Sequence, residues 1–398
     1  MPSTNQKNHS SDLGYKQTEV GMIPEDWEVK PLHALAEKIM VGIASAATHA
    51  YRDRGIVLFR NQNIKPGYLD DSDVLFITPD YEAAFKNKRL KAGDLLTART
   101  GYPGTTCVVP AQYEAAQSFT TLITRPNCRV VHPDYLCFYL NSNQGQAYFE
   151  QNQIGGGQKN VNAGSLEKLP VPLPPIKAEQ EAIAEALSDA DALIESLEQL
   201  TAKKRHLKQG AMQELLTGKR RLPGFRGEWE VKRIGDVLSI AHGKSQHAVA
   251  DRNGIYPILA TGGQIGTANR FLYDKPSVLI GRKGTIDQPQ YMDQPFWTVD
   301  TLFYSVIRES NNAKFLFYRF CLIEWKQHNE ASGVPSLNAR TIERIEMKVP
   351  PPDEQTAIAT LLSDMDAEIT ALETKLAKAR QIKRGMMHNL LTGKIRLV

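Results

Sequence analysis

The sequence predicts an α/β (α+β) protein of two globular modules separated by two long helices, the helices paired as an antiparallel coiled coil with a pseudo-two-fold internal repeat. Three observations predict this. The stretch LLTGK at Leu215–Lys219 returns at Leu390–Lys394, 175 residues on, and closes a gapless repeat of about 40 positions. Within the repeat, apolar residues recur at alternating spacings of four and three. Charge along both copies runs from acidic to basic.

A chain of 398 residues exceeds one ordinary core. Its 41% hydrophobic and 23% charged residues, with mean hydropathy −0.37, are those of a soluble globular protein. No apolar run is long enough to cross a membrane. The first 20 residues read as a polar N-terminal tail without the apolar stretch of a secretory leader. Cys107, Cys128, Cys137 and Cys321 form no CxxC pair, which argues against a zinc or redox site and fits a reducing cytoplasm. The net charge of +4 permits a nucleic-acid partner without demanding one.

A shift of 175 residues sets Glu179-Gln180 on Glu354-Gln355 and Asp189 and Asp191 on Asp364 and Asp366. It continues through Arg205/Arg380 and Lys208/Lys383 to LLTGK and Arg221-Leu222/Arg396-Leu397. Upstream, SLEKLPVPLPP (165–175) resembles TIERIEMKVPPP (341–352), and DWEVKPL (26–32) matches EWEVKRI (228–234). The predicted order is a tail (1–20), a first module (21–175), a first helix (176–218), a second module (219–352), and a second helix with the C-terminal end (353–398). Between these anchors the modules diverge, although LLTARTG (95–101) resembles VLIGRKG (278–284) and gives Arg99 and Arg282 like places.

Both helices follow proline clusters and contain no further proline in their interiors. The predicted seam comprises Ile183, Leu187, Ile194, Leu197 and Leu215 in the first helix. In the second it comprises Ile358, Leu362, Met365, Ile369, Leu372, Leu376 and Leu390. Roughly 38 residues at about 1.5 Å each span about 57 Å, longer than a helix lying on one small domain needs. Residues 179–198 carry seven acidic side chains and no Lys or Arg, whereas 203–221 carry seven basic ones against Glu214 alone. The second helix repeats this polarity, so an antiparallel pairing sets acid against base and a parallel one does not. Because each module precedes its own helix, that pairing would put the modules at opposite ends of the pair.

No catalytic constellation emerges. The GKS at 243–245 lacks the first glycine of a P-loop, since Leu238 stands there. The nine histidines show no metal-ligand spacing, and no metal site is expected. What remains are Gly-rich polar loops carrying residues that read base edges and phosphates. In the first module these are FRNQN (59–63) with Arg60, Asn61, Gln62 and Asn63, ARTGY (98–102) with Arg99 and Tyr102, and GGGQKN (155–160) with Gln158, Lys159 and Asn160. In the second they are HGKSQ (242–246) with Lys244, ATGGQ (260–264) with Thr261 and Gln264, and GRKGT (281–285) with Arg282 and Lys283. The last is SGVPSLNAR (332–340) with Ser336, Asn338 and Arg340. Such loops are also common as plain solvated turns; their recurrence at matched places favours DNA reading.

GYKQTEVGMIPEDWEVKPL (14–32), GGGQKNVNAGSLEKLPVPLPPIKAEQEAIAEAL (155–187) and LLTGKRRLPGFRGEWEV (215–231), with second-half equivalents at 337–362 and 390–397, resemble the specificity subunit of type I restriction–modification systems. The resemblance covers about residues 14–398. It implies two target recognition domains, each reading half of a split double-stranded DNA sequence, with the helices as spacer. It implies a non-catalytic subunit that binds no cofactor itself. Two modification (methyltransferase) subunits would use S-adenosylmethionine, and restriction subunits would use ATP and Mg. The second loop, SGVPSLN, has lost the triple glycine and the lysine of GGGQKNVN, so a phosphate contact is not carried over there. A protein–protein scaffold and a stand-alone DNA-modifying enzyme are the alternatives; binding that ignores salt would mark the first, and chemistry by the chain alone the second.

Overall fold

The computed structural model describes residues 14–153, 159–308 and 310–397. It divides into two compact units, Met1–Ser196 with Leu376–Val398, and Leu197–Lys375. Four helices matter below: α1 (Pro133–Leu140), α2 (Lys177–Leu215), α3 (Ala313–Phe320) and α4 (Pro352–Leu390). The sequence reading set the long helices apart from the modules. The structure instead gives the first unit the start of α2 and the end of α4, and the second unit the remainder of each.

In the first unit an antiparallel sheet runs in the order Thr106–Val108, Leu95–Thr97, Leu122–Pro126, Ala36–Val41. Beside it, Gln117–Ser118 pairs parallel with Ile56–Phe59, whose other edge pairs with Leu75–Ile77. The second unit repeats both patterns. Its antiparallel sheet runs Gln290–Met292, Ser277–Gly281, Leu302–Ile307, Leu238–His242. Trp297–Thr298 pairs parallel with Tyr256–Ala260, whose other edge pairs with Gly263–Ala268. Ser277–Gly281 is buried at every position, which is why its apolar run is continuous rather than alternating.

A two-stranded ladder explains the distant anchors. Glu28–Pro31 pairs with Pro170–Leu173, and Glu230–Arg233 with Glu346–Val349. The EVK stretches of DWEVK and EWEVK are therefore partners of the strand that leads into each long helix. One boundary needs correction. Tyr15–Thr18, assigned to the tail, pairs with Gly21–Pro24, and the Tyr15 hydroxyl donates to the Gly393 carbonyl at 3.3 Å. Gly21 at φ +103 makes the turn that folds this strand back.

The helix charges meet as the sequence implied. In the second unit Lys204 pairs with Glu368 at 2.6 Å, Lys208 with Asp366 at 2.5 Å, and Arg205 with Glu373 at 2.6 Å. Arg221, beyond the end of α2, meets Glu354 at the start of α4. One helix ascends as the other descends, so the pairing is antiparallel. In the first unit Lys383 binds Asp191, the same pair with the helices exchanged.

Most of the seam residues pack into the cores of the two units. Ile183, Leu187 and Leu390 enter the first unit's core with Trp27, Tyr135 and Leu136. Leu215, Ile358 and Leu362 enter the second unit's core with Phe315 and Trp325, and Met365 packs against it. Ile369 and Leu372 are buried, while Ile194, Leu197 and Leu376 are half-buried. The glycine of LLTGK is repeated because each helix ends on a left-handed residue, Gly218 at φ +73 and Gly393 at φ +68. No described helix is long and apolar enough to cross a membrane.

Candidate nucleic-acid interface

Each unit builds one frame at the ends of its central strands. In the first, the chain leaves Leu95–Thr97 and reaches Arg99, whose carbonyl accepts the Val161 N–H at 3.1 Å. The Arg99 N–H donates to Asn61 Oδ1 at 2.7 Å, and Asn61 Nδ2 donates to Thr120 Oγ1 at 3.3 Å. Asn162 then caps a short helix by accepting the Ser165 N–H at 2.7 Å. Loops far apart in sequence are thereby fixed to one another: 61, 99, 120 and 161.

In the second unit the carbonyl of Arg282 accepts the Leu337 N–H at 2.9 Å, and the Arg282 N–H donates to the Thr301 carbonyl at 2.8 Å. Asn338 caps the helix Ala339–Arg344 through the Arg340 N–H at 2.9 Å. Lys283 is bridged to Ser336, and the Gly284 N–H donates to Pro335 at 2.9 Å. Gln290 Nε2 holds the carbonyls of Ala260 and Thr261 at 3.0 and 3.3 Å. Asn61 and Thr261 occupy the same place, two residues beyond the paired positions Phe59–Ser118 and Leu259–Thr298 of the parallel strands.

The frame therefore gathers Asn61 and Arg99 in one unit, and Thr261, Arg282, Lys283, Ser336 and Asn338 in the other. Tyr102 stands on the same loop as Arg99 and is 84% exposed. Lys159, Lys283 and Arg340 are exposed cations, and Asn160 is half-buried. Lys244 is exposed, and its N–H is tied to the Thr298 carbonyl at 2.8 Å. Gln264 is exposed and folds onto its own Gly266 carbonyl at 3.1 Å. Gln158 lies outside the described residues.

Three candidates of the FRNQN loop have their side chains engaged by other residues of the same unit. Asn63 is buried: its Oδ1 accepts the Arg60 N–H at 2.8 Å, and its Nδ2 donates to the Asp70 and Asp73 carbonyls at 2.9 and 2.8 Å. With almost no surface and both amide hydrogens and one oxygen lone pair used, Asn63 is a loop brace and not a base reader. Arg60 and Gln62 both donate to the Asp73 carboxylate, at 2.9 and 2.8 Å, which partly neutralises the charge on that face of the loop. Sequence reasoning missed Asp73, Thr120 and Asp300, whose carbonyl accepts from Arg282 at 3.3 Å. Thr120 has φ +52, uncommon for a β-branched residue and without any signal in sequence.

The GKS stretch is explained without a nucleotide. A Cβ on Gly243 would lie 2.0 Å from the Val299 carbonyl oxygen, and one on Gly42, in the matching strand end, 2.3 Å from that of Ser118. Glycine lets two backbones cross there. Among the described residues no three His, Cys, Asp or Glu side chains are grouped to hold a metal ion.

The family model described as the type I restriction modification DNA specificity domain matches residues 24–203 and 226–383. The provisionally named type I restriction enzyme MjaX specificity subunit of Methanocaldococcus jannaschii is 27% identical over 96% of this chain and 97% of its own length. The MjaIX specificity subunit of the same organism is 22% identical over 96% of each chain. The crystal structure of the type I restriction–modification system S subunit from M. genitalium superposes with a TM-score of 0.64 at 15% identity, covering 92% of this chain and 96% of that one. That likeness concerns the fold. With two matched segments that together span most of its length, the chain belongs to the type I restriction–modification DNA specificity family.

Proposed function

We propose that this specificity subunit reads a bipartite DNA target, one half-site by each unit, and that its two long helices fix the unread gap between them. The observation that carries the reading is the repeated frame with different side chains mounted on it. Around the shared Arg99/Arg282, Asn61, Thr100 and Tyr102 stand where the second unit has Thr261, Lys283 and Thr285, whereas the helices and their ion pairs are near copies. Two half-sites of different sequence need unlike readers on like mounts.

In this reading the chain supplies recognition and no chemistry, and binds no cofactor. Two modification subunits would methylate adenine with S-adenosylmethionine, and restriction subunits would add ATP- and Mg-dependent cleavage, in the cytoplasm. The test is a genome-wide map of methylated adenine with and without the gene. Loss of one motif, two half-sites around a fixed gap, is the expected result. A map that does not change overturns the reading.

A further inference from the structure

We propose that Val334 reads the 5-methyl group of a thymine in the half-site bound by the second unit. The inference rests on the DNA-reading function above and assigns the chemistry of one contact. Val334 is 67% exposed and sits in the loop between Asn329 and Leu337. The loop is tied on both flanks. Asn329 Oδ1 accepts the N–H groups of Ala331 and Ser336 at 3.1 and 2.9 Å, and the Glu330 N–H donates to the Ser336 carbonyl at 3.1 Å. The Gly284 N–H reaches Pro335, and the Leu337 N–H reaches Arg282, both at 2.9 Å.

Single exposed apolar residues are ordinary on protein surfaces. Val334 differs in its position. It is carried by the segment clasped to Arg282, Lys283 and Gly284, the edge where the frame gathers its polar and cationic groups. A β-branched side chain is stiff at χ1, and Pro335 restricts the backbone beside it, so little freedom is lost on contact. Ser332 and Gly333, both exposed, precede it and add no bulk. In the major groove the apolar feature that distinguishes one base pair from another is the thymine methyl. A valine on the segment bridged to the exposed Lys283 matches that group and no other base edge. The matching stretch of the first half, GGGQKNVN, carries Gln158 at the place of Val334 when Asn162 is set on Asn338, so the sequence repeats no branched apolar side chain there and the contact belongs to the second unit alone.

The test uses the full chain assembled with its modification subunits and duplexes carrying the mapped target. Each thymine of both half-sites is replaced in turn by deoxyuridine, which removes only the methyl. The expected result is about four-fold weaker binding at one position in one half-site, the factor that burial of one such carbon supplies. With Val334→Ala, the thymine and uracil duplexes bind alike at that position. Lys283→Ala weakens both duplexes together and leaves their ratio unchanged. Indifference to every thymine methyl, a preference that survives Val334→Ala, or a half-site without an A·T pair overturns the proposal. A complex that recognises no bipartite target sinks the DNA-reading function itself, whereas one that recognises its target but ignores the methyl sinks Val334 alone.

Discussion

Arg221 lays two guanidinium nitrogens on Glu354, 2.5 Å from each carboxylate oxygen, and Glu354 is wholly buried. Trp229 Nε1 donates to the same carboxylate at 3.1 Å, and the guanidinium lies 5.5 Å from the centre of the Trp229 ring. The first unit repeats the device with Arg396 on the buried Glu179, over the Trp27 ring, and adds Asp26 at 2.9 and 3.0 Å. Bonding to Glu179 and Asp26 raises the Arg396 guanidinium further above its usual range, against the effect of burial. The neighbouring Gln180 and Gln355 are a second lock. Their Oε1 atoms accept the N–H of His132 and Asn312, at the starts of α1 and α3, each at 2.9 Å. Glu-Gln is repeated because the glutamate seizes the segment after one long helix, and the glutamine holds the module's own helix.

Arg221→Ala strands a buried carboxylate without its counter-ion. The expected loss is about 3–5 kcal/mol in the second unit, read by urea unfolding of the full chain. A loss under about 1 kcal/mol would mean that water replaces the arginine.

Lys208 and Asp366 are partly exposed and close at 2.5 Å. Reversing either charge alone, Lys208→Glu or Asp366→Lys, is expected to destabilise by about 1 kcal/mol, and reversing both is expected to recover most of it. A double-mutant cycle with no coupling would count against this pair as a register lock.

Removing four residues from α2 shortens it by about 6 Å. The methylated motif is expected to keep both half-sites and change its gap. An unchanged gap would remove the helices as the ruler.

Arg99→Ala is expected to relax one half-site by about 1–3 kcal/mol of base discrimination, and Arg282→Ala the other. Asn61→Ala, which frees the Arg99 N–H, should relax the same half-site as Arg99→Ala by a smaller amount. Methylation of single-mismatch targets reads all three. Equal weakening of both half-sites by one substitution would contradict separate readers.

Glu82 is buried and bound by Arg89 at 2.6 and 2.7 Å and by Gln117 at 2.9 Å. The Arg89 bond, against the opposing effect of burial, holds its carboxyl below the ordinary 4.5. A lowered folded value stabilises the protein above the unfolded one, and that stability is lost as pH falls through the folded value. Glu82→Gln should therefore be less stable near neutrality, yet lose less stability than the parent below about pH 4.5. Unfolding curves across acid pH that stay parallel for the two proteins would refute this.

The repeat, both long helices, their direction of pairing and the Arg99/Arg282 equivalence were legible in the residues. Heptad spacing and charge polarity are local patterns that add over five turns or more, so no distant contact is needed to read them. The frame was not legible. Asn61, Arg99, Thr120 and Val161 are joined by single hydrogen bonds across loops of many residues, and a glutamine or asparagine in such a loop looks the same whether it faces DNA or braces its neighbour. That is why Asn63 read as a candidate contact and is a buried brace, and why Glu179, visible as a repeated acid, gave no hint of its arginine. Local periodicity specified the helices and their polarity; the side-chain directions on the loops were set by hydrogen bonds between segments that only the folded chain brings within 3 Å or so.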